Sequence, residues 1–362
     1  TLGLVVTFLI TGVCAFGGSI DLSNEDYQKA ENSLNELGQH DLAIGNGEIG
    51  IDKNDTSKKI KITEKEGVYT ITYTGINAYP SDSVKKVEIS KKYLSGNTVN
   101  NINKFLNSQD KEYKLITEAL TEDIAENQFV QNNTSEKFVQ QATGTKNITN
   151  NGYILGYYGQ KVENGEAVNN GTIMSDSFGQ SSSKGNGNLI NNGLIVLAKD
   201  VSYGQYVNKG KAYNYGTILG NLTLQVTTQS MDIKTGAKLY NYGVIKSTDT
   251  ESSEYRYQGQ FIDNKGGEAY NYGLIDGNIN LQLLSNYGTL NVNSENGIAQ
   301  LSHGGKGENY GLIKVKNGLA MKANDNVNYS ANYGVTNRGV IHSSGTSEIF
   351  TNKFVDNTGI II

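Results

Sequence analysis

Tryptophan is absent from this 362-residue chain, and proline and cysteine occur once each, as Pro80 and Cys14. A single proline excludes collagen-like and proline-rich architectures. A single cysteine, placed inside an apolar leader, leaves no disulfide framework and no cysteine metal site. Histidine is nearly as scarce: His40, His303 and His342 are the whole set, and each reads as a solvated residue rather than a general base. Apolar residues make up only 36% of the chain, too little for a compact core fed by long apolar helices, and enough for a thin core that is turned repeatedly. The net charge is −5 with both signs interspersed, so the basic stripe of a nucleic-acid binder is missing.

What the chain has in quantity is glycine (43), tyrosine (23) and asparagine. Glycine and asparagine tolerate positive φ, so a chain rich in both turns often. From residue 146 these residues fall into a repeat. A five-residue signature, Asn-x-Gly-x-Ile or a close variant, starts at Asn150, Asn169, Asn191, Asn214, Asn241, Asn271, Asn286, Asn309, Asn332, Asn337 and Asn357. A longer unit lies over it, as "GQKVENGEAVNNGTI" from Gly159, "GQYVNKGKAYNYGTI" from Gly204 and "GQFIDNKGGEAYNYGLI" from Gly259. Low-complexity disorder would supply Asn and Gly without keeping Ile in register.

Most signature spacings lie between 19 and 30 residues, with strand-like alternation, which predicts a solenoid of parallel strands. Counting by two from Ile218 puts Gly216, Asn214 and Ala212 on one side and Thr217, Tyr215 and Tyr213 on the other. Ile is expected to stack into the interior, and Gly to mark tight bends or positive φ. Asn at equivalent corners is expected to hydrogen-bond up the stack at about 4.8 Å. The residue after each Asn changes along the chain, from Asn151, Asn170 and Asn192 to Tyr215, Tyr242, Tyr272, Tyr287, Tyr310 and Tyr333, then to Arg338 and Thr358. The six tyrosines are the candidate binding strip, an outward aromatic ladder with hydroxyl tips. The competing reading is purely structural, a stack that steadies neighbouring strands.

Upstream of the repeat the pattern is different. Residues 1–18 read as a truncated secretory signal peptide. The apolar run from Leu2 to Phe16 is short for a membrane span of about 20 residues. A lipoprotein reading of Cys14 and a membrane anchor are the alternatives. Residues 19–145 read as a small irregular α+β region serving as a cap or separate domain. Helix is expected around 24–38 and 113–125, and two strands are expected in "KKIKITEKEGVYTITYTG".

Catalytic chemistry finds little support. No Gly-x-Ser-x-Gly elbow stands out. Asp263 and Asp276 could approach one another across rungs, as in polysaccharide-cleaving β-helices, yet Arg256 and Arg338 stand apart from them. The calcium-loop pattern is incomplete at Asp52, Asn54 and Asp55. The position after the signature Gly holds Thr172, Leu194, Thr217, Val244, Leu274, Thr289 and Leu312, which breaks the threonine array an ice-binding face needs. The chain is therefore expected to be no enzyme and to use no metal or cofactor.

The motifs "NNGTI", "NYGTI" and "NYGLI", behind a leader and an irregular region, resemble the passenger regions of type V autotransporter adhesins, particularly the fusobacterial kind. The resemblance covers about Asn147 to Ile362. It implies an all-β, right-handed parallel β-helix over 146–362, displayed at the surface of a Gram-negative outer membrane. It also implies partners among host-cell or bacterial surface proteins or glycans, and an outer-membrane β-barrel translocator. No barrel-like strands occur in the chain, and the apolar "NTGIII" end suggests a fragment that continues. The Asn-Pro motifs of partner-secreted hemagglutinins are missing. A polysaccharide-active enzyme and a passive stalk for a missing binding domain are the rival functions.

Overall fold

The computed structural model describes residues 32–77, 85–198, 203–220, 229–231, 237–246, 260–262, 268–277, 285–292, 297–303, 306–316, 318–324, 334–343, 347–351, 355–357 and 359–361. The expectations for the leader, Asp263, Arg256, Asn332 and Tyr333 fall outside these residues.

The chain is mostly β, and most of its strands are parallel and stacked in register. A lap of the coil begins with a short strand ending in the signature Asn, such as Lys211–Asn214. It passes the x-Gly bend and continues into a second arm, such as Thr217–Gly220. A third arm, such as Tyr203–Val207, stacks in its own column. In the long strand Thr172–Ser182 the second and third arms run on continuously, with a register irregularity between Ser175 and Phe178. First arms form a 10-stranded parallel sheet, and second and third arms share a 16-stranded one. Three further third-arm strands, Gly297–His303, Gly318–Asn324 and Ser347–Thr351, form a sheet of their own.

Lap length varies while the second-arm column holds its register. Ile154, Ile173, Ile195, Ile218, Ile245, Ile275, Leu290, Ile313 and Ile341 follow one another as register partners. All are fully buried. Each contributes about 1.5–3 kcal/mol of apolar burial. Opposite them Ala167, Leu189, Ala212, Leu239 and Ala269 alternate small and large up the first-arm column, the alternation that lets neighbouring layers interlock.

The signature glycines are set by closeness rather than by positive φ. A Cβ on Gly216 would lie 2.1 Å from the carbonyl oxygen of Gly193, and one on Gly243 would lie 2.0 Å from that of Gly216. The same contact recurs from rung to rung, because Thr217 N donates to Gly193 O across this gap (2.9 Å).

The N-terminal region is a partner of the coil's flank. Four antiparallel strands, β1 (Gly47–Gly50), β2 (Lys59–Lys65), β3 (Val68–Thr74) and β4 (Lys86–Ser90), are followed by helix α1 (Gly96–Asn107). The strand expectation for "KKIKITEKEGVYTITYTG" coincides with β2 and β3. Residues 32–35 are helical and stop short of Gly38, whose φ is +73°. The helix expected over 113–125 is not formed. Glu112–Ile116 is strand β5, parallel to Gln128–Asn132, so the parallel stack starts well before residue 146. Tertiary pairing overrides local helix preference there. Helix α1 sits elsewhere, capped by the Ser95 side chain accepting from Thr98 N. It buries Val99, Ile102, Phe105 and Leu106.

Candidate functional site

One asparagine from each lap forms a continuous amide ladder. Nδ2 of Asn150 donates to Oδ1 of Asn169 at 2.8 Å, and the link repeats through Asn191, Asn214, Asn241, Asn271, Asn286, Asn309, Asn337 and Asn357 at 2.7–2.9 Å. The second amide proton is used as well: Asn191 donates to Thr217 O, and Asn214 to Val244 O. From Asn150 to Asn337 these side chains are buried polar groups with their bonds made, as burial requires, while Asn357 at the end is exposed. Asn309 pairs in register with Asn337, so the rung after Asn309 belongs to Asn337 and not to Asn332.

A second amide ladder went unread in the sequence. Gln160 Nε2 donates to Gln140 Oε1 (2.8 Å), Gln180 to Gln160 (2.9 Å) and Gln205 to Gln180 (2.9 Å). The recurring Gly-Gln pairs at 159–160, 179–180 and 204–205 were its signal. Its donors point back toward earlier laps, opposite to the asparagine ladder, so the two rows of amide dipoles oppose one another.

On the outward side of the first-arm sheet, the residues flanking the signature Asn form two columns. The outer one begins with an amide ladder: Asn170 Nδ2 donates to Asn151 Oδ1, and Asn192 to Asn170. It continues as Tyr215, Tyr242, Tyr272, Tyr287 and Tyr310, with ring centroids 4.8–5.0 Å apart and planes within 4–8° of parallel. Arg338 follows, its guanidinium carbon 5.9 Å from the Tyr310 ring. Among the described residues the expected strip has five stacked tyrosines, and Arg338 follows Tyr310 in the column. The Asn309–Asn337 register is the reason.

The inner column runs Thr149, Val168, Ile190, Tyr213, Tyr240, Tyr270 and Ser285 in register. Its tyrosines stack at 5.0–5.2 Å and meet the outer column laterally at 6.2–6.4 Å. This second ladder was also missed. The repeated "AYNYG" was its signal, two tyrosines spaced by two and therefore on one face.

Tyr215, Tyr242 and Tyr272 are 41%, 42% and 38% exposed, three neighbouring large side chains open to solvent on one sheet face. Burial, and after it the neighbouring phenols, push the Tyr215 and Tyr242 hydroxyls above their ordinary range. Alongside, Lys238 pairs with Glu268, which also accepts from Tyr270 Oη at 2.9 Å. The two central columns carry no charge from Thr149 and Asn151 until Glu308 and Arg338. Charge depletion with tyrosine enrichment is the composition of an interface core.

The second arm is covered instead. Tyr93 Oη donates to Asp276 Oδ2 (2.6 Å), Asn101 Nδ2 to Asn192 O (3.0 Å), and Thr217 Oγ1 to Tyr93 O (3.0 Å). Phe105, Phe129 and Tyr153 pack together beside them. Thr217, Leu194, Val244 and Leu274, the residues after the signature Gly, are thus buried.

Asp276, read from the sequence as a possible catalytic carboxylate, is a buried anchor. It accepts from Tyr93 and from Asn291 Nδ2 (2.9 Å) and lies 3.9 Å from Lys246 Nζ. Among the described residues no cluster of three His, Cys, Asp or Glu side chains could hold a metal. His40 and His342 are exposed. Among these residues no helix is long and apolar enough to cross a membrane.

Comparison with known proteins returns no matching family model, no curated relative and no similar solved structure.

Proposed function

We propose that the chain is a surface-displayed adhesive rod, a right-handed parallel β-helix resembling the passenger of a type V autotransporter adhesin. In this reading it is secreted to the outer surface of a Gram-negative bacterium, with an outer-membrane barrel as translocator. It engages surface proteins or glycans of host cells or other bacteria. The observation that supports this most is the uncharged, solvent-facing double tyrosine ladder on a sheet face away from the second arm that the N-terminal region covers. Weak contacts repeated along a stiff support add through effective concentration.

The test is binding of the purified chain to epithelial cells, to bacterial cells and to a glycan array. Serine at Tyr215, Tyr242 and Tyr272 together is expected to lower binding at least five-fold while circular dichroism is unchanged. Binding that survives this change assigns the ladder to scaffolding and returns the chain to the role of a stalk.

A further inference from the structure

The stacked tyrosines hold phenol rings over phenol rings. Parallel planes with centroids 4.8–5.2 Å apart stack each ring, with the carbons ortho to its hydroxyl, on the ring of the next rung. Lateral contacts at 6.2–6.4 Å join the two columns into one network of eight rings. A phenoxyl radical concentrates spin on those ortho carbons. Two of them held as neighbours meet without diffusional search, the advantage that intramolecular reactions have over bimolecular ones.

We propose that the double tyrosine ladder is a site of oxidative tyrosine–tyrosine cross-linking, which staples successive laps of the coil covalently. The oxidant is a one-electron acceptor such as a haem peroxidase charged with hydrogen peroxide. Each of two adjacent tyrosines gives up one electron and its phenolic proton. The radicals then form one carbon–carbon bond between ortho positions, and the two ortho hydrogens move to the oxygens as the rings regain aromaticity. Two tyrosines and one hydrogen peroxide give one dityrosine and two waters.

Three features favour the ladder over the other tyrosines. Tyr215, Tyr242 and Tyr272 are exposed enough for an outside oxidant to reach. Tyr270 Oη already donates to the Glu268 carboxylate, a ready acceptor for the departing proton. The other aromatic column, Phe138, Tyr158, Phe178 and Tyr203, alternates phenylalanine with tyrosine, so no two phenols stack there on successive laps. A link between Tyr215 and Tyr242 closes one complete lap, so it restricts the unfolded chain as a disulfide of similar loop length does.

The experiment treats the full chain, at low concentration, with a haem peroxidase and limiting hydrogen peroxide. Dityrosine fluorescence is followed, and linked peptides are mapped by mass spectrometry. The expected result is intramolecular linkage dominated by Tyr215 with Tyr242 and Tyr242 with Tyr272, each product lighter by two hydrogens. Phenylalanine at Tyr242 and Tyr272 keeps the stack but removes the phenols, and lowers the fluorescence yield at least two-fold. Links mapping mainly to Tyr157, Tyr158, Tyr203 or Tyr206 overturn the proposal. So does a yield unchanged in the double variant, linkage only between molecules, or no linkage where free tyrosine in the same mixture couples.

Discussion

Tyr93 and Asp276 lie 183 residues apart in sequence and 2.6 Å apart in space, the phenol donating to a carboxylate that is 4% exposed. This contact fastens the N-terminal region across several laps of the coil. Tyr93→Phe keeps the ring and deletes the donor, leaving a buried carboxylate oxygen short of a partner. The expected loss is about 1–3 kcal/mol, measured by urea denaturation. Faster hydrogen exchange confined to residues 91–107, 244–246 and 274–277 would locate it. A variant as stable as the parent means that Asn291 and Lys246 suffice to hold the carboxylate.

Asn214 stands in the middle of the buried ladder, donating to Asn241 and accepting from Asn191. Asn214→Ala orphans both neighbours' groups, at about 1–3 kcal/mol each. The half-buried outer ladder gives the control. Asn170→Ala breaks the same kind of links to Asn151 and Asn192, but water can replace them. Thermal denaturation should show the inner change costing clearly more than the outer one.

Gly216→Ala places a methyl group 2.1 Å from Gly193 O. The backbone has to separate there, weakening the Thr217 N to Gly193 O bond, and a melting-point drop of several degrees is expected. Gly45→Ala meets nothing within 4 Å and should leave the melting point within a degree or so. Equal effects from the two substitutions would remove close approach as the reason for the signature glycine.

The ladder also predicts how stability responds to pH. Desolvation, and then the neighbouring phenols, raise the Tyr215 and Tyr242 hydroxyls above 10.0. The unfolded chain therefore ionises first, and their contribution is whole below pH 10 and disappears as pH climbs through the raised folded values. At the acid end, the hydrogen bond from Lys238 holds Glu268 below 4.5. That contribution is present above pH 4.5 and is lost as pH falls through the lowered folded value. Denaturation across pH should show both slopes. Phenylalanine at Tyr215 and Tyr242 should flatten the alkaline one, and Glu268→Gln the acid one.

The interior was legible because it is periodic. Ile218, Ile245 and Ile275 share one column for the reason their spacing within each signature suggested: alternation chooses the face, and the Asn-x-Gly bend restarts the count on each lap. The asparagine ladder followed from the same regularity, since identical residues at one corner meet at the strand spacing. The tyrosine column was readable up to Tyr310, and beyond it two signatures stand five residues apart, so the sequence alone did not say that Asn337 pairs with Asn309.

What the residues' order determined by itself is the local rule: which side chain turns inward, which glycine admits the next lap, which tyrosine follows its asparagine. Alternation and close approach act within a few bonds, so they are written in the residues that obey them. The placement of the N-terminal region was decided only by the tertiary structure. Tyr93 finding Asp276, and α1 covering one face while the tyrosine face stays open, depend on how laps of unequal length bring distant residues level. No local pattern carries that information, because it is the stacked coil as a whole that creates the surface on which those residues meet.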